Sequence, residues 1–253
     1  MVLKTPDELR LMDQANTLVH EVLRLVAEAA KPGVTTAALD AMAEEHIRAA
    51  GAVPAFKGYR GYPATLCTSV NDVIVHGIPS GECRLKEGDV LSLDCGVLWH
   101  SFYGDAAVTV PIGPVEPEAA RLLQVTRECL DLAVQVVKPG RRLTDVGDVI
   151  QRHAEGAGFS VVREFVGHGV GRSLHEEPQV YNFGPPGRGP ELRPGLVLAI
   201  EPMINAGLPD VVIDDDGWTA RTEDGKLAAH FEYSVAVTAN GPWVLGMDGG
   251  RQG

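Results

Sequence analysis

Four carboxylates in this chain stand in apolar company, where an isolated charge is costly to desolvate. Val90-Leu-Ser-Leu-Asp94 reads as a buried strand ending in an acid, and Val197-Leu-Ala-Ile-Glu201 reads the same way. Asp105 follows Asp94 across a region bounded by Gly96 and Gly104. A hairpin of that length brings the two carboxylates together. Glu232 interrupts the apolar run Phe231-Glu-Tyr-Ser-Val-Ala-Val. Four such acids as neighbours cannot all ionise in a low-dielectric site without cations. Two divalent ions would balance the four charges. Oxygen ligands with one imidazole suit first-row metals such as manganese, iron, cobalt or zinc.

The imidazole is expected from Gly167-His168-Gly169-Val170-Gly171-Arg-Ser-Leu-His175-Glu-Glu-Pro178, whose glycines let backbone approach a ligand closely. His168 and His175 lie seven residues apart, which is not the helical H-E-x-x-H arrangement. One could ligate metal while the other faces a substrate. His76, just after the apolar Val73-Ile-Val75, is a third candidate. Plainer readings exist for each residue alone. Asp94 and Asp105 could be turn or cap residues, Glu201 could open a loop before Pro202, and Glu232 could be an edge-strand charge. His76 could be a satisfied core histidine. His20, His46 and His153 fall on expected helices, while His100 and His230 border the acids; all five read as structural.

The elements that must position these residues occur twice. Lys31-Pro32-Gly33 recurs as Lys138-Pro139-Gly140, 107 residues later. Gly51 recurs as Gly158, and Leu85-x-x-Gly88-x-Val90-Leu91-x-Leu93-Asp94 recurs as Leu192-x-x-Gly195-x-Val197-Leu198-x-Ile200-Glu201, in the same register. The spacing therefore predicts two similar halves, about 1–110 and 111–240, around a pseudo-two-fold axis with a site between them. Thr5-Pro6-Asp7-Glu8 is a capping box with proline at the first helical position, and opens a helix to about Ala30. A second helix, about 36–50, ends at Gly51. Strands follow at Leu66–Val70, Val90–Asp94 and Asp105–Val110. The second half repeats helices at 118–137 and 144–155, then strands near 161–166, 196–201, 210–213 and 231–238. Helices followed by runs of strands indicate an α+β fold, here one catalytic domain over 1–253.

Composition agrees. The 253 residues are 45% hydrophobic and 22% charged, in the globular range. A net charge of −12 disfavours specific nucleic-acid or anionic-membrane binding. No apolar run is long enough to span a membrane, and the N-terminus is too acidic for a signal peptide. The four cysteines have no metal-site spacing and read as reduced thiols in a cytoplasmic protein.

Together, Gly58-Tyr-Arg-Gly-Tyr-Pro63, Cys67-Thr-Ser-Val-Asn-Asp72, His76-Gly-Ile-Pro79, Asp94-Cys-Gly96, Gly104-Asp105, Gly167-His-Gly-Val-Gly171, His175-Glu-Glu-Pro-Gln179, Ala199-Ile-Glu-Pro202 and Phe231-Glu232 resemble the type I methionine aminopeptidases. These are M24 metallopeptidases, and the likeness is to their bacterial short form, from about Lys4 to Gly241. The resemblance implies the duplicated "pita-bread" fold. It implies a dinuclear site of Asp94, Asp105, His168, Glu201 and Glu232, in which Asp105 and Glu232 bridge two ions (cobalt, manganese, iron, zinc or nickel). Asp94 would chelate one ion, with His168 and Glu201 completing the other. His76 and His175 match the family's substrate-facing histidines. Tyr59, Tyr62, Cys67 and Trp218 align with its methionine pocket. Phe56 and Leu174 would line the pocket too, with residue types unlike the best-known bacterial members. Tyr233 stands where many members have histidine.

The implied reaction is removal of N-terminal methionine from nascent proteins and peptides with a small second residue. The nucleophile would be a water or hydroxide held between the ions. Glu201 would shuttle the proton, His175 would stabilise the carbonyl oxygen, and His76 would contact the scissile amide. The family further implies a monomer, and nascent substrates are compatible with work near the ribosome. Two other readings share the residues. One is an Xaa-Pro aminopeptidase or prolidase, which usually carries an additional N-terminal domain. The other is a non-catalytic binding module, which the full set of ligand residues argues against.

Overall fold

The computed structural model describes residues 1–247; the remainder of the expected domain, 248–253, lies outside the described residues. Helix α1 (Pro6–Ala29) begins at the expected capping box. Thr5 Oγ1 accepts from the Glu8 N–H, and the Glu8 carboxylate accepts from the Thr5 N–H. Its buried positions Leu9, Met12, Val19, Val22, Leu23 and Val26 recur every three or four residues, which makes one apolar face. Helix α2 (Thr36–Ala49) follows; α3 (Pro117–Val136) and α4 (Thr144–Gly156) repeat the pair in the second half.

The backbone carries the duplication further than the letters do. Every repeated glycine adopts left-handed φ in both copies: Gly33 and Gly140 at +90° and +83°, Gly51 and Gly158 at +79° and +87°, Gly88 and Gly195 at +93° and +91°. The isolated bridge Thr35–Arg84 is echoed by Arg142–Glu191, displaced by the same interval.

One antiparallel sheet joins the halves. Across it lie Val53–Pro54, Val90–Trp99, Phe102–Pro111, Glu232–Thr238, Val197–Ile200, Gly167–Gly169 and Glu176–Val180. Leu66–Val70 also pairs with Val90–Trp99, and Gly241–Val244 with Glu232–Thr238. Strand alternation sorts the faces. Leu91, Leu93, Cys95, Val97 and Ala106 pack with α1 and α2, while Leu198, Ile200, Tyr233, Val235 and Val237 pack with α3 and α4. Their sequence neighbours Asp94, Asp105, Glu201 and Glu232 therefore project from the other face. Two smaller sheets complete that side: Ala228–His230, Met203–Asn205 and Ser160–Val161, and Val211–Ile213, Ala220–Thr222 and Val73–Val75.

The helices and the Leu66–Val70 strand fall where expected. Two expected strands are longer. Val90–Trp99 and Phe102–Pro111 turn only at His100-Ser101, so Asp94 lies within its strand rather than at its end. Gly96 and Gly104 are not turn residues but close-approach sites. A Cβ on Gly96 would lie 2.6 Å from Phe56 Cε1, and one on Gly104 would lie 2.7 Å from the Ala15 carbonyl carbon of α1. The strand expected near 161–166 shrinks to Ser160–Val161.

The N-terminal segment crosses back over the second half. The Lys4 N–H donates to the Gly195 carbonyl, and Lys4 Nζ lies 2.6 Å from Glu176 Oε2 in a largely buried pair. Glu176 Oε1 also accepts from the Arg172 and Ser173 N–H groups. The loop before His175 is thus fastened from both sides.

The turn at His100-Ser101 has φ +47° and +68°, a conformation that two-residue hairpins usually give to Asn-Gly. Replacing Ser101→Gly is expected to stabilise the protein by ~1 kcal/mol. That corresponds to a melting temperature about 2–4 °C higher in a thermal unfolding scan. Gly104→Ala should lower it, because the added methyl meets helix backbone.

Candidate metal centre

The Phe102–Pro111 strand stands at the centre of the candidate site. Ala107 pairs with Asp94 on one side and with Glu232 on the other, and Asp105 sits one pleat along on the same face. Both main-chain groups of Asp105 are held by side chains. Asn16 Oδ1 of α1 accepts from its N–H at 3.2 Å, and Ser234 Oγ donates to its carbonyl at 2.9 Å. Asn16 is itself anchored, its Nδ2 donating to the Met12 carbonyl. His168 comes from the second half, opposite Ala199. Ligand atoms of Asp105, His168 and Glu232 all lie within 4.8 Å of one another.

The donor set fits a divalent cation. His168 Nδ1 lies 2.9 Å from the Gly169 carbonyl, which can only accept, so the proton sits on Nδ1. Nε2 then turns a lone pair toward Asp105 Oδ2 at 3.7 Å and Glu201 Oε1 at 3.6 Å. Lone pairs facing lone pairs are reconciled by a cation. Asp94 Oδ1, Asp105 Oδ1 and Glu232 Oε1 are buried without a hydrogen-bond partner. Burial pushes Asp94 up to about 7. Burial, and then the neighbouring carboxylates, hold Asp105, Glu201 and Glu232 well above the usual carboxylate range. Burial, with His175 adding to it, pushes His168 down to about 4, so it is a neutral ligand at pH 7.

An apolar pocket opens beside these acids. Cys67 pairs with Asp94 across the sheet, on the same face. Phe56, Tyr62, Cys67 and Leu174 form one buried cluster with Tyr59 and Trp218 against it. The cavity measures about 180 Å³ and reaches the carboxylates. The Tyr62 hydroxyl donates to the carbonyls of Leu66 and Gly77, which fixes its ring. Trp218 is held by Asp216, whose Oδ1 accepts from the Trp218 and Thr219 N–H groups at 2.8 Å. His76 has φ +61° and meets Phe165 and Trp218 edge-on. Burial, then His175, pushes it down to about 4. His175 stands at the rim, its Nδ1 2.9 Å from the Tyr59 hydroxyl and its ring 4.1 Å from that of His168.

All the site residues expected from sequence thus meet around one cavity. The structure adds others. His230, expected to be structural, is 1% exposed and lies beside the site, its Nε2 facing Glu201 Oε2 at 3.7 Å without a hydrogen-bond partner. Its position two residues before Glu232 on a short strand was the available signal. Phe165 and Met203 also line the cavity. Tyr233, next to Glu232, points to the helical face instead. There its hydroxyl meets Arg127 and its ring meets His20.

The chain matches the family described as Metallopeptidase family M24 over residues 10–239. It is 48% identical to a methionine aminopeptidase of Clostridium acetobutylicum, over 97% of this chain and 98% of that one. The crystal structure of a methionine aminopeptidase from Thermotoga maritima superposes with a TM-score of 0.96 at 45% identity, covering 98% of this chain and 100% of that one. A prolidase from Pyrococcus horikoshii shares the fold at 22% identity and a TM-score of 0.80; this chain covers 63% of its length.

The raised carboxyls set a pH signature for the metal-free protein. A carboxyl that holds its proton more tightly folded than unfolded costs stability as pH rises through that range. The depressed histidines act oppositely, but only up to their unfolded value of about 6.5. Between pH 6.5 and 8 the carboxyls act alone. Metal-free protein is therefore expected to lose stability over that interval in denaturant titrations, and a saturating divalent ion should flatten the slope. A flat metal-free profile would show that the carboxyls ionise without help.

Proposed function

The chain belongs to metallopeptidase family M24, and we infer that it is a metal-dependent aminopeptidase that releases N-terminal methionine from polypeptides. The observation that carries this reading is adjacency. An apolar cluster of aromatic rings and a thiol lines the same cavity of about 180 Å³ as a buried carboxylate–histidine set. Aromatic faces and a thiol suit a flexible sulfur-containing side chain, with sulfur–aromatic contacts worth ~0.3–1.5 kcal/mol.

In this reading Asp94, Asp105, His168, Glu201 and Glu232 would hold two divalent ions. The oxygen-rich donors accept cobalt, manganese, iron, zinc or nickel. When bound, such ions make a water nucleophilic near neutral pH and polarise the scissile carbonyl. Glu201 takes the proton of the attacking water on its carboxylate and passes it to the departing amine nitrogen. With His175 Nδ1 accepting from the Tyr59 hydroxyl 2.9 Å away, the ring proton sits on Nε2 and would be free to donate to the carbonyl oxygen as charge develops there. His76, neutral at pH 7, contacts the scissile amide. The free α-amine lies toward Asp94, so the enzyme works from chain ends.

A small second residue is favoured because one cavity of about 180 Å³ must take both the methionine and the start of the next side chain. The natural substrates are nascent chains, met in the cytoplasm near the ribosome, and the protein acts there as a monomer built from one catalytic domain. Among the described residues, no helix is long and apolar enough to cross a membrane.

Chelator-stripped protein given back manganese, iron, cobalt, zinc or nickel is expected to release methionine from Met-Ala-Ser. Met-Lys-Ser and Ala-Pro-Ser should stay intact. Cleavage of Ala-Pro-Ser alone would move the reading to an Xaa-Pro activity on the same fold. His175→Ala should lower kcat by about 10²–10³, as loss of one oxyanion donor does, with a smaller change in KM.

A further inference from the structure

Among the described residues the cavity lining carries one arginine or lysine, Arg60, in a backbone conformation that side-chain-bearing residues rarely adopt. It sits in the 3-10 turn Tyr59–Gly61 with φ +50°, flanked by Gly58 at +88° and Gly61 at +93°. Residues held in this region persist where the surroundings impose them, and they cluster at ligand sites. The guanidinium stands 5.4 Å from the centre of the Tyr59 ring, and Tyr59 is the partner of His175.

Arg60 is also unclaimed. The chain has 34 acidic residues against 22 basic ones. Lys57, three residues away, is paired with Glu44 at 2.7 Å, and Arg48, Arg172 and Arg221 are paired as well. Among the described residues Arg60 has no carboxylate partner. It lines the cavity that receives the substrate, and a polypeptide whose first residue fills the closed end must leave past this rim. The second residue is confined beside the reacting bond, so the third is the first whose side chain can reach outward.

We propose that Arg60 is a specificity residue that favours substrates with a carboxylate side chain at the third position. The inference rests on the methionine-release reading and adds to it a substrate class. The guanidinium offers a planar fork of donors to the carboxylate, held in place by the turn and by the Tyr59 ring. The pair forms at an exposed rim, so its effect is modest and falls with salt.

The test uses full-length, metal-reconstituted protein and three C-terminally amidated peptides: Met-Ala-Glu-Ala-Ala, Met-Ala-Gln-Ala-Ala and Met-Ala-Lys-Ala-Ala. Amidation removes the terminal carboxylate as a competing anion. The expected wild-type kcat/KM is about three- to fivefold higher for the Glu peptide than for the Lys peptide. The difference should lie mainly in KM and shrink at about 0.3 M salt. Arg60→Gln should bring the ratio to about one, and Arg60→Glu should invert it. Lys57→Gln, at a paired cation away from the cavity, should keep the wild-type ratio. Each ratio is internal to one protein, so a change in folded fraction cancels. A wild-type ratio of one or below, or an unchanged ratio in Arg60→Gln, overturns the proposal while leaving methionine release standing. Failure to cleave the Gln peptide with any metal overturns both.

Discussion

Four carboxylates facing one another in a desolvated space are what this structure is arranged around. Left alone they repel and resist ionisation, and the elevated proton affinities of Asp94, Asp105, Glu201 and Glu232 express that cost. Side chains with so little incentive to meet must be brought together by the backbone. Strand alternation does this. Leucines and valines on one face bind the sheet to four helices, and the acids between them have no choice but the other face. The clamps on Asp105 from Asn16 and Ser234 fix the middle of the set. The Gly169 carbonyl settles which nitrogen of His168 looks inward. Apolar burial on one side thus sustains an electrostatically unfavourable arrangement on the other, which a cation turns to advantage.

The duplicated scaffold is symmetric while the chemistry on it is not. Asp94 and Glu201 occupy equivalent places in the two halves, yet their surroundings differ. Next to Asp94 lies the apolar pocket, floored by Cys67 and Tyr62 of the first half and closed by Leu174 and Trp218 of the second. Next to Glu201 lie the two imidazoles His168 and His230. Equivalent acids thus face an apolar cluster in one place and imidazoles in the other.

Much of this was legible in the sequence, for identifiable reasons. The long helices announced themselves through caps and a repeated apolar face, and the repeat announced itself through glycines whose left-handed backbone no other residue adopts cheaply. The four candidate acids were legible because acids are rarely placed in apolar strands, while the five-residue ligand set and the two substrate-facing histidines were implied by the family resemblance. What was missed depends on contacts distant in sequence. Gly96 and Gly104 look like turn residues until Phe56 and α1 are seen lying against them. Asn16 reads as an ordinary helical residue until Asp105 is placed beside it. Phe165 and Met203 sit in strands or loops too short to carry a periodic signal, so only the cavity reveals them.

The strand Glu232–Thr238 lies between Phe102–Pro111 of the first half and Val197–Ile200 of the second. It is the seam of that sheet, and it follows most of the sheet's strands in the chain. Without it the two halves share, among the described residues, only the small sheet of Val73–Val75 with Ala220–Thr222, and the fourth carboxylate is missing. Folding of the first half can begin early, because α1, α2 and their strands are local. Assembly of the site cannot. The set of four carboxylates is therefore complete only once this late strand has docked between the halves, however much of the first half has already formed.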